Sequence, residues 1–334
     1  MDVLSSNATT GSLHVIFQSP SAIDRTNCSH LKNVASYHFV LIPVLYILIF
    51  LIGIVGNMII LVGLSCCLHK KSVANIYIMN LAIADLLFVA TLPLWAVDIS
   101  GKYKWIFGSA MCKFCGTVSS INMYASIFLL TCLSIDRYFG IVHPMESINK
   151  RTLAKAKIVT VLIWVSAFVM SIPSMYFRQT YYSYYSHHIV CTMRYPSNSL
   201  FWPIFLDSMK YVVGFVIPFI IQGICYYMIY KIILNSAKNK VKKAKSDNIL
   251  RVVVSMVLAF LICWLPLHIM NIFKLLARFG IITNCGTINN LNVFIPFSIS
   301  IAFSNSCINP ILYYFASNRF RSQLIKTLRG SYSA

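Results

Sequence analysis

An aspartate and an arginine are adjacent in Ser134-Ile135-Asp136-Arg137-Tyr138, at the end of a long and mostly uncharged stretch. That stretch is roughly 25 residues long, about the length at which an apolar helix crosses a bilayer. Ionisable residues at the end of a membrane helix either anchor it in the interface or take part in function. The pair therefore indicates function only if other apolar stretches also carry polar groups within the membrane.

A second carboxylate, Asp85, lies midway along another apolar stretch. An ionised carboxylate at that depth costs about 2.5–3.5 kcal/mol or more, so it needs polar partners. The candidates are amides and hydroxyls of three further stretches, namely Asn57, Asn122, Ser126, Asn305, Ser306 and Asn309. One carboxylate facing several neutral oxygens suits a hard cation such as Na⁺. A hydrogen-bond network without an ion accounts for the same residues equally well.

Prolines interrupt most of these stretches, at Pro93, Pro173, Pro218, Pro266, Pro296 and Pro310. Each proline removes a backbone hydrogen bond and can kink its helix. The run Cys263-Trp264-Leu265-Pro266 places a bulky ring beside one such kink, where a ligand can press on it.

The composition is that of an integral membrane protein. Of the 334 residues, 58% are hydrophobic and 11% are charged, and the mean hydropathy is +0.73. Soluble domains are nearer a quarter charged. The net charge of +20 comes from basic residues between the apolar stretches, so the membrane explains it and no nucleic-acid partner is expected.

Seven apolar runs predict an all-α membrane protein, a seven-transmembrane helix bundle with a short amphipathic eighth helix. The runs are 41–67, 74–99, 109–141, 153–174, 205–234, 248–276 and 288–315, and the eighth helix is predicted at 317–328. Three regions follow: an extracellular tail (1–40), the bundle (41–316), and the eighth helix with a short cytoplasmic tail (317–334). Asn7 and Asn27 in the first tail fit the N-glycosylation pattern. No secretory signal is evident, so the first run is expected to act as its own insertion signal.

The basic residues also predict the orientation. With the N-terminus outside, the internal segments are rich in lysine and arginine, above all at 238–245 and 319–329. This agrees with the positive-inside rule for a multi-pass protein of the plasma membrane. The external side is basic too, which favours an anionic group on a ligand. Lys32, Lys113 and Arg278 can equally be anchors at the lipid headgroups.

Four cysteines fall on the external, oxidising side, at Cys28, Cys112, Cys191 and Cys285. Four cysteines allow three pairings. The sequence alone does not select among these.

One short motif in each run, in order, completes the pattern. The motifs are Asn57; Leu81-Ala82-Ile83-Ala84-Asp85; Asp136-Arg137-Tyr138; Trp164; Pro218; Cys263-Trp264-Leu265-Pro266; and Asn309-Pro310-Ile311-Leu312-Tyr313. Together they resemble a rhodopsin-like (class A) G-protein-coupled receptor over about residues 40–328.

Within that class the chain is most similar to the angiotensin II receptors. The matching stretches are Thr91-Leu92-Pro93-Leu94-Trp95-Ala96, Asn122-Met123-Tyr124-Ala125-Ser126, Leu130-Thr131-Cys132-Leu133-Ser134 and Phe303-Ser304-Asn305-Ser306-Cys307. Tyr176-Phe177-Arg178 and Leu267-His268 resemble the type 2 branch. Apelin and bradykinin receptors share part of the pattern.

The resemblance implies two disulfides, Cys112–Cys191 and Cys28–Cys285. It implies a sodium pocket that favours the inactive state, formed by Asp85, Asn122, Ser126, Asn305 and Asn309, with Asn122 also restraining basal activity. It further implies an activation switch in which Arg137, held by Asp136 at rest, moves towards Tyr226 and Tyr313. That movement opens a cleft for a heterotrimeric G protein.

The resemblance also implies the ligand site. Arg178 and Lys210 match the two cations that bind a peptide's C-terminal carboxylate, with Trp95, Tyr124, Trp264 and His268 lining the pocket below. An arginine suits a planar carboxylate bidentately, whereas a lysine acts as a mobile point charge. Lys210 can alternatively extend to the headgroups or pair with Asp207, three residues before it.

The chain departs from the family at two ligand positions. Angiotensin receptors place acids at the tops of the sixth and seventh helices, where they hold an arginine of the peptide. The corresponding residues here are Lys274 and Asn292. Like charges repel, so we expect weak binding of angiotensin II or a different ligand without that arginine.

Several functional alternatives remain beside an angiotensin-like hormone receptor. The chain can serve another peptide of apelin or bradykinin type, or act as a decoy or as a constitutively active orphan receptor. An enzyme is not expected, because no zinc-site spacing or nucleophile elbow occurs, and no internal repeat indicates a transporter. Arrestin recruitment is in doubt because few hydroxyls follow residue 316, and the basic loops are expected to bind anionic membrane lipid.

Overall fold

The computed structural model describes residues 37–67, 72–145, 151–184, 186–196, 201–235, 240–316 and 321–322. In this part of the chain, seven helical segments are long and apolar enough to cross a membrane. We call them spans 1 to 7: His38–Ser65, Val73–Ser100, Gly108–Val142, Leu153–Phe177, Phe201–Ile232, Val253–Ala277 and Cys285–Phe315. The predicted seven-helix bundle is confirmed.

The helix bounds extend most of the predicted runs by a few residues. The α-helices are His38–Val62, Val73–Val89, Leu92–Ser100, Gly108–Val142, Leu153–Phe177, Phe201–Tyr211, Ile217–Asn235, Lys240–Arg278 and Cys285–Ala316. The sixth helix begins eight residues before its predicted start, because its first two turns are polar and hydropathy does not detect them. The predicted glycosylation sites Asn7 and Asn27 lie outside the described residues. So does most of the eighth helix, of which only residues 321 and 322 are described, both helical.

Side-chain caps define the starts of two spans. The Ser72 hydroxyl accepts a hydrogen bond from the Asn75 amide, and the Thr152 hydroxyl accepts one from the Lys155 amide, both at 3.2 Å. Such caps satisfy amide groups that have no partner within the helix.

Spans 2 and 5 are interrupted. In span 2 the break lies at Ala90 and Thr91, where the Thr91 hydroxyl donates to the Phe88 carbonyl at 2.7 Å and Pro93 opens the next helix. In span 5 a π-helical segment, Val212–Val216, lies just before Pro218. Another π-helical segment, Gly63–Cys67, ends the first helix. π-Helical turns often mark functional positions, because the inserted residue changes the direction of the side chains around it.

A β-hairpin connects spans 4 and 5. Strand β1 (Arg178–Ser183) pairs antiparallel with β2 (His188–Met193), with Arg178 opposite Met193 and Thr180 opposite Cys191. The predicted Cys112–Cys191 disulfide is present and fastens β2 to the start of span 3. We call this end of the bundle the hairpin end. Cys285 is also disulfide-bonded, but its predicted partner Cys28 lies outside the described residues.

Span 3 forms the centre of the bundle. Its side chains Ala125, Ile127, Leu129, Leu130 and Leu133 are fully buried. It packs against spans 2, 4, 5 and 6. Span 4 instead exposes a row of apolar side chains, as expected of a helix that faces lipid.

Candidate functional site

A cavity of about 440 Å³ opens between the spans at the hairpin end. Six of the predicted ligand-binding residues line it: Trp95, Arg178, Lys210, Trp264, His268 and Lys274. They come from spans 2, 5 and 6 and from β1. The fold therefore brings together side chains that are up to 179 positions apart in the sequence, from residue 95 to residue 274.

Arg178, the first residue of β1, lies against the wall of span 2. Its guanidinium carbon is 5.1 Å from the centroid of the Trp95 ring, within the range of a cation–π contact. One of its terminal nitrogens lies 3.9 Å from the Cys191 sulfur. Burial lowers the pKa of Arg178, while Tyr195 and Asp98 act to raise it. An arginine nonetheless remains charged at neutral pH.

Gly116 in span 3 makes room for Arg178. A Cβ atom at residue 116 would lie 2.2 Å from Arg178 Cδ and 2.3 Å from its Nε. Any larger residue would therefore force the arginine to move. This role of Gly116 cannot be predicted from the sequence, because the arginine and the glycine approach each other only in the folded bundle.

The opposite wall of the cavity is formed by spans 5 and 6. Lys210 and Asp207 line it from span 5, and His268 and Lys274 from span 6. The two spans are joined near the cavity by the Tyr211 hydroxyl, which donates to the His268 carbonyl. Among the described residues, three cationic side chains and one carboxylate, that of Asp207, line the cavity, so the site favours an anionic group.

Two predicted ligand residues do not line the cavity. Tyr124 is 2% exposed and packs against Phe128, with ring centroids 6.0 Å apart. Asn292 is also 2% exposed, and its Oδ1 has no hydrogen-bond partner within the described part of the chain. Their predicted contacts with a ligand therefore need a rearrangement of the surrounding side chains, and these roles stay predictions.

Asp85 is fully buried in the centre of the bundle and accepts two amide hydrogen bonds. Asn122 Nδ2 donates to Asp85 Oδ1, and Asn309 Nδ2 donates to Oδ2, both at 2.9 Å. Ser126 Oγ lies 3.5 Å from Asn122 Nδ2. Asn57 donates to the Gly53 and Ser306 carbonyls instead, both at 2.9 Å.

Two buried oxygens in this cluster have no hydrogen-bond partner among the described residues, namely Oδ1 of Asn305 and Oδ1 of Asn309. Carboxylate, amide and hydroxyl oxygens are the ligands that hard cations prefer. The residues around Asp85 therefore fit a small hard cation in their chemistry, and the hydrogen bonds present hold the cluster together without one.

At the other end of span 3, Asp136 binds two arginines. Arg137 Nη2 lies 2.7 Å from Asp136 Oδ2. Arg151, just before span 4, donates to both oxygens, from Nε to Oδ1 at 2.7 Å and from Nη2 to Oδ2 at 2.8 Å. The sequence predicts no role for Arg151 beyond that of a basic residue between two spans. Its position directly before the cap residue Thr152 was the available signal that it is held close to the bundle.

Tyr226 of span 5 and Tyr313 of span 7 are the other two residues of the predicted switch, whose role stays a prediction. Tyr226 Oη lies 2.8 Å from Ser134 Oγ, two residues before Asp136. Tyr313 is 6% exposed and belongs to the hydrophobic core against which Tyr226 also packs. The structure thus holds Tyr226 on span 3 by a hydroxyl that sequence reasoning had not singled out.

Lys113 forms a structural contact with the end of span 4. Its ammonium group donates to the carbonyls of Met175 and Tyr176, at 3.0 and 3.2 Å. A cation at a helix C-terminus satisfies the last carbonyls and interacts favourably with the helix dipole.

The chain is similar to known proteins over most of its length. A family model described as "7 transmembrane receptor (rhodopsin family)" matches residues 56–313. The type-2 angiotensin II receptor of Ovis aries is 40% identical over 96% of this chain and 88% of its own length. The type-2 receptor of Rattus norvegicus is 41% identical over 91% and 83%, and the type-1 receptor B of the same species is 38% identical over 88% and 82%.

Proposed function

The chain belongs to the rhodopsin family of seven-transmembrane receptors, in which it is a relative of the angiotensin II receptors, and from this we propose that it binds an angiotensin II-like peptide and activates a heterotrimeric G protein. In this function the protein is a multi-pass receptor of the plasma membrane with its N-terminus and hairpin end outside. It carries out no chemistry on its ligand.

One observation carries the ligand proposal: Arg178, Lys210 and Lys274 line one cavity of about 440 Å³. A cavity with this charge favours an anionic group, and a C-terminal carboxylate is the anion that a peptide offers. Arg178 is restrained between Trp95 and Gly116, so it is prepared to bind the carboxylate in a fixed geometry. Lys210 adds a charge that can follow the ligand.

Binding shifts the receptor only if the ligand prefers the active conformation. Trp264 and His268 of span 6 line the lower wall of the cavity. Contact with their side chains would transmit ligand binding to span 6. Their rings are 6.2 Å apart, and Trp264 lies against Phe260 with ring centroids 5.6 Å apart. Pressure on this stack, close to Pro266, would move the part of span 6 that faces the Asp136 end.

The Asp85 cluster would hold Na⁺ in the resting state, through the oxygens of Asp85, Ser126, Asn305 and Asn309. A bound cation would supply positive charge that compensates the buried Asp85 carboxylate. The cation would hold spans 2, 3 and 7 together, because its ligands come from all three. A movement of span 7 on activation would separate these ligands and release it.

Lys274 sets the expected specificity. A lysine on the cavity wall repels a cationic side chain of a ligand. We expect angiotensin II, which carries an arginine near its N-terminus, to bind this chain more weakly than it would bind a receptor with acids at the corresponding positions. A peptide that keeps the C-terminal carboxylate and lacks that arginine would avoid the repulsion by Lys274.

Radioligand binding of angiotensin II to membranes that contain the chain, beside the Lys274→Asp/Asn292→Asp variant, tests the proposal. Weak binding by the wild type and a gain of at least tenfold in the variant would support it. A C-terminally amidated angiotensin II should bind more weakly than the acid in both. Failure of both the acid and its arginine-lacking analogue to bind either protein would exclude an angiotensin-like ligand.

A further inference from the structure

Asp98 in span 2 is a buried carboxylate with an unsatisfied oxygen. The residue is 4% exposed, and its Oδ1 has no hydrogen-bond partner within the described part of the chain. A buried acceptor without a partner costs free energy, and a charged one costs more. Such a group is retained where something else, such as a ligand, satisfies it.

Asp98 belongs to the helix face that borders the ligand cavity. It follows Trp95 by three residues and precedes Ile99 by one, and both of these line the cavity. Residues three and four apart on a helix share a face, so Asp98 lies directly behind the lining. No other predicted ligand residue stands on this part of the wall except Trp95.

Two phenol groups flank Asp98. Tyr46 of span 1 and Tyr103 of the loop after span 2 both line the cavity. Both pack in the same buried cluster as Ile99, the residue that follows Asp98. The Tyr103 amide also donates to the Asp98 carbonyl at 2.7 Å, which fixes the loop beside the carboxylate. We call Tyr46, Asp98 and Tyr103 the Asp98 subsite.

The cationic side chains of the cavity do not form an ion pair with Asp98 in the described part of the chain. Arg178 acts on Asp98 electrostatically, but Asp98 forms no ion pair within 4.0 Å in the part of the chain that the structure describes. Lys210 and Lys274 stand on the wall of spans 5 and 6. The cavity therefore has an anion-binding wall and, directly behind its lining on span 2, a buried carboxylate.

We propose that the Asp98 subsite binds a cationic group of the ligand, an ammonium or a guanidinium, while Arg178, Lys210 and Lys274 bind its anionic group. This rests on the proposed function in that the ligand occupies this cavity. Because Asp98 is buried behind the lining, the side chains in front of it must shift before a cation can pair with its carboxylate. The cation would then lie beside two aromatic rings, which attract cations through their faces. Because Lys274 repels positive charge from spans 5 and 6, the structure assigns the cationic end of the ligand to span 2.

The test is a double-mutant cycle that combines one substitution in the receptor with one substitution in the ligand. Angiotensin II and an analogue with citrulline in place of its arginine are bound to the wild type and to Asp98→Asn, which removes the charge and keeps the size. Asp207→Asn is the matched control, because it removes a carboxylate that does line the cavity, on the wall of span 5. Cell-surface expression of all three proteins is measured in parallel.

We expect Asp98→Asn to lower the affinity for angiotensin II at least tenfold and to change the affinity for the citrulline analogue by less than twofold. In Asp207→Asn, the ratio of the two affinities should stay as in the wild type. Equal losses for both ligands would show that Asp98 only supports the fold and would overturn the proposal. So would tighter binding in Asp98→Asn, since it would mean that Asp98 merely competes with the ligand for Arg178.

A second probe separates this proposal from the proposed function. If the wild type binds no angiotensin II, the thermal unfolding of the purified receptor is followed with benzamidine, a planar aromatic cation. At about ten times its dissociation constant, benzamidine should raise the Tm by roughly 3 °C in the wild type and in Asp207→Asn. It should leave Asp98→Asn unchanged. No shift in the wild type, or an equal shift in Asp98→Asn, would overturn the Asp98 subsite.

Discussion

Two hydrogen bonds join the guanidinium of Arg151 to the carboxylate of Asp136, at 2.7 and 2.8 Å. The Asp136 side chain is 4% exposed and also binds Arg137 at 2.7 Å. Breaking a buried ion pair is costly mainly because it leaves a charge without a partner. Since Arg151 keeps a bidentate contact with Asp136, Arg137 can leave without stranding the carboxylate. Arg151 therefore lowers the cost of releasing Arg137.

We predict that Arg151→Gln reduces G-protein activation by about tenfold, because Asp136 would then hold Arg137 as its remaining cationic partner. Nucleotide exchange on a purified G protein, with receptor reconstituted at equal density, measures this. The double variant Asp136→Asn/Arg151→Gln should regain activity, and Lys155→Gln, another cation at the start of span 4, should change little. Higher basal nucleotide exchange in Arg151→Gln would show instead that Arg151 stabilises the resting state together with the ion pair between Asp136 and Arg137.

Gly116→Ala should displace Arg178 and weaken a carboxylate ligand by about tenfold or more, since the added Cβ would approach Arg178 Cδ to 2.2 Å. Alanine favours a helix over glycine by up to about 1 kcal/mol, so the span itself should not be destabilised. Gly223→Ala is the control, because a Cβ there has no neighbour within 4 Å. Saturation binding of radiolabelled angiotensin II measures the effect. Identical affinities in the two variants would contradict the close contact.

Ser134→Ala should raise ligand-independent signalling several-fold. It removes the hydroxyl that holds Tyr226 at 2.8 Å, and the loss of one hydrogen bond is worth about 1 kcal/mol. Basal nucleotide exchange is the readout. Ser171→Ala removes a buried hydroxyl whose hydrogen bond goes to the Ala167 carbonyl of its own helix, and it should leave basal exchange unchanged. A decrease in Ser134→Ala would mean that the contact belongs to the active state.

Cys112→Ser should lower both thermal stability and ligand affinity. The disulfide closes a segment with a sequence separation of 79 residues, and the loss of chain entropy on closing such a loop corresponds to about 4.5 kcal/mol of stability. It also fixes β2, which pairs with the strand that begins at Arg178. Cys115→Ser, which changes a buried free thiol on the same helix, serves as the comparison. Equal melting temperatures for the two variants would argue against this role.

Sodium should weaken agonist binding in the wild type, and Asp85→Asn should abolish the effect. The prediction follows from the oxygens of Asn305 and Asn309, which have no hydrogen-bond partner among the described residues. Agonist competition curves at 0 and about 150 mM NaCl, with choline chloride at equal ionic strength, separate the ion from screening. If sodium lowers the agonist affinity equally in the wild type and in Asp85→Asn, the Asp85 cluster does not bind the cation.

Hydropathy was enough to predict all seven spans, because each is a long apolar run between basic loops. Spacing and family resemblance together also predicted that Asn122 and Asn309 reach Asp85, and both do so at 2.9 Å. These contacts depend on helix periodicity and on the need to satisfy a buried charge, which a sequence displays directly.

The β-hairpin and the position of Tyr124 were not predicted. The hairpin strands are rich in Tyr, Thr, Val and Ile, but the runs are short beside seven long helices, so the strand signal was overlooked. Tyr124 carries a family motif, yet it faces Gly214 in the π-helical segment of span 5. Which way such a ring points depends on the rotation of two packed helices, and residue types alone do not specify that rotation.

The π-helical segment Val212–Val216 divides span 5 into two halves. The number of residues in this segment determines the rotation of the side chains in one half relative to the other. Each residue of an α-helix advances the side-chain direction by about 100°. Removing one residue from this segment would thus turn Asp207 and Lys210 by about that angle away from the cavity while Tyr226 stayed in place. A single insertion or deletion is therefore enough to retune the ligand wall of a receptor and leave its signalling half untouched.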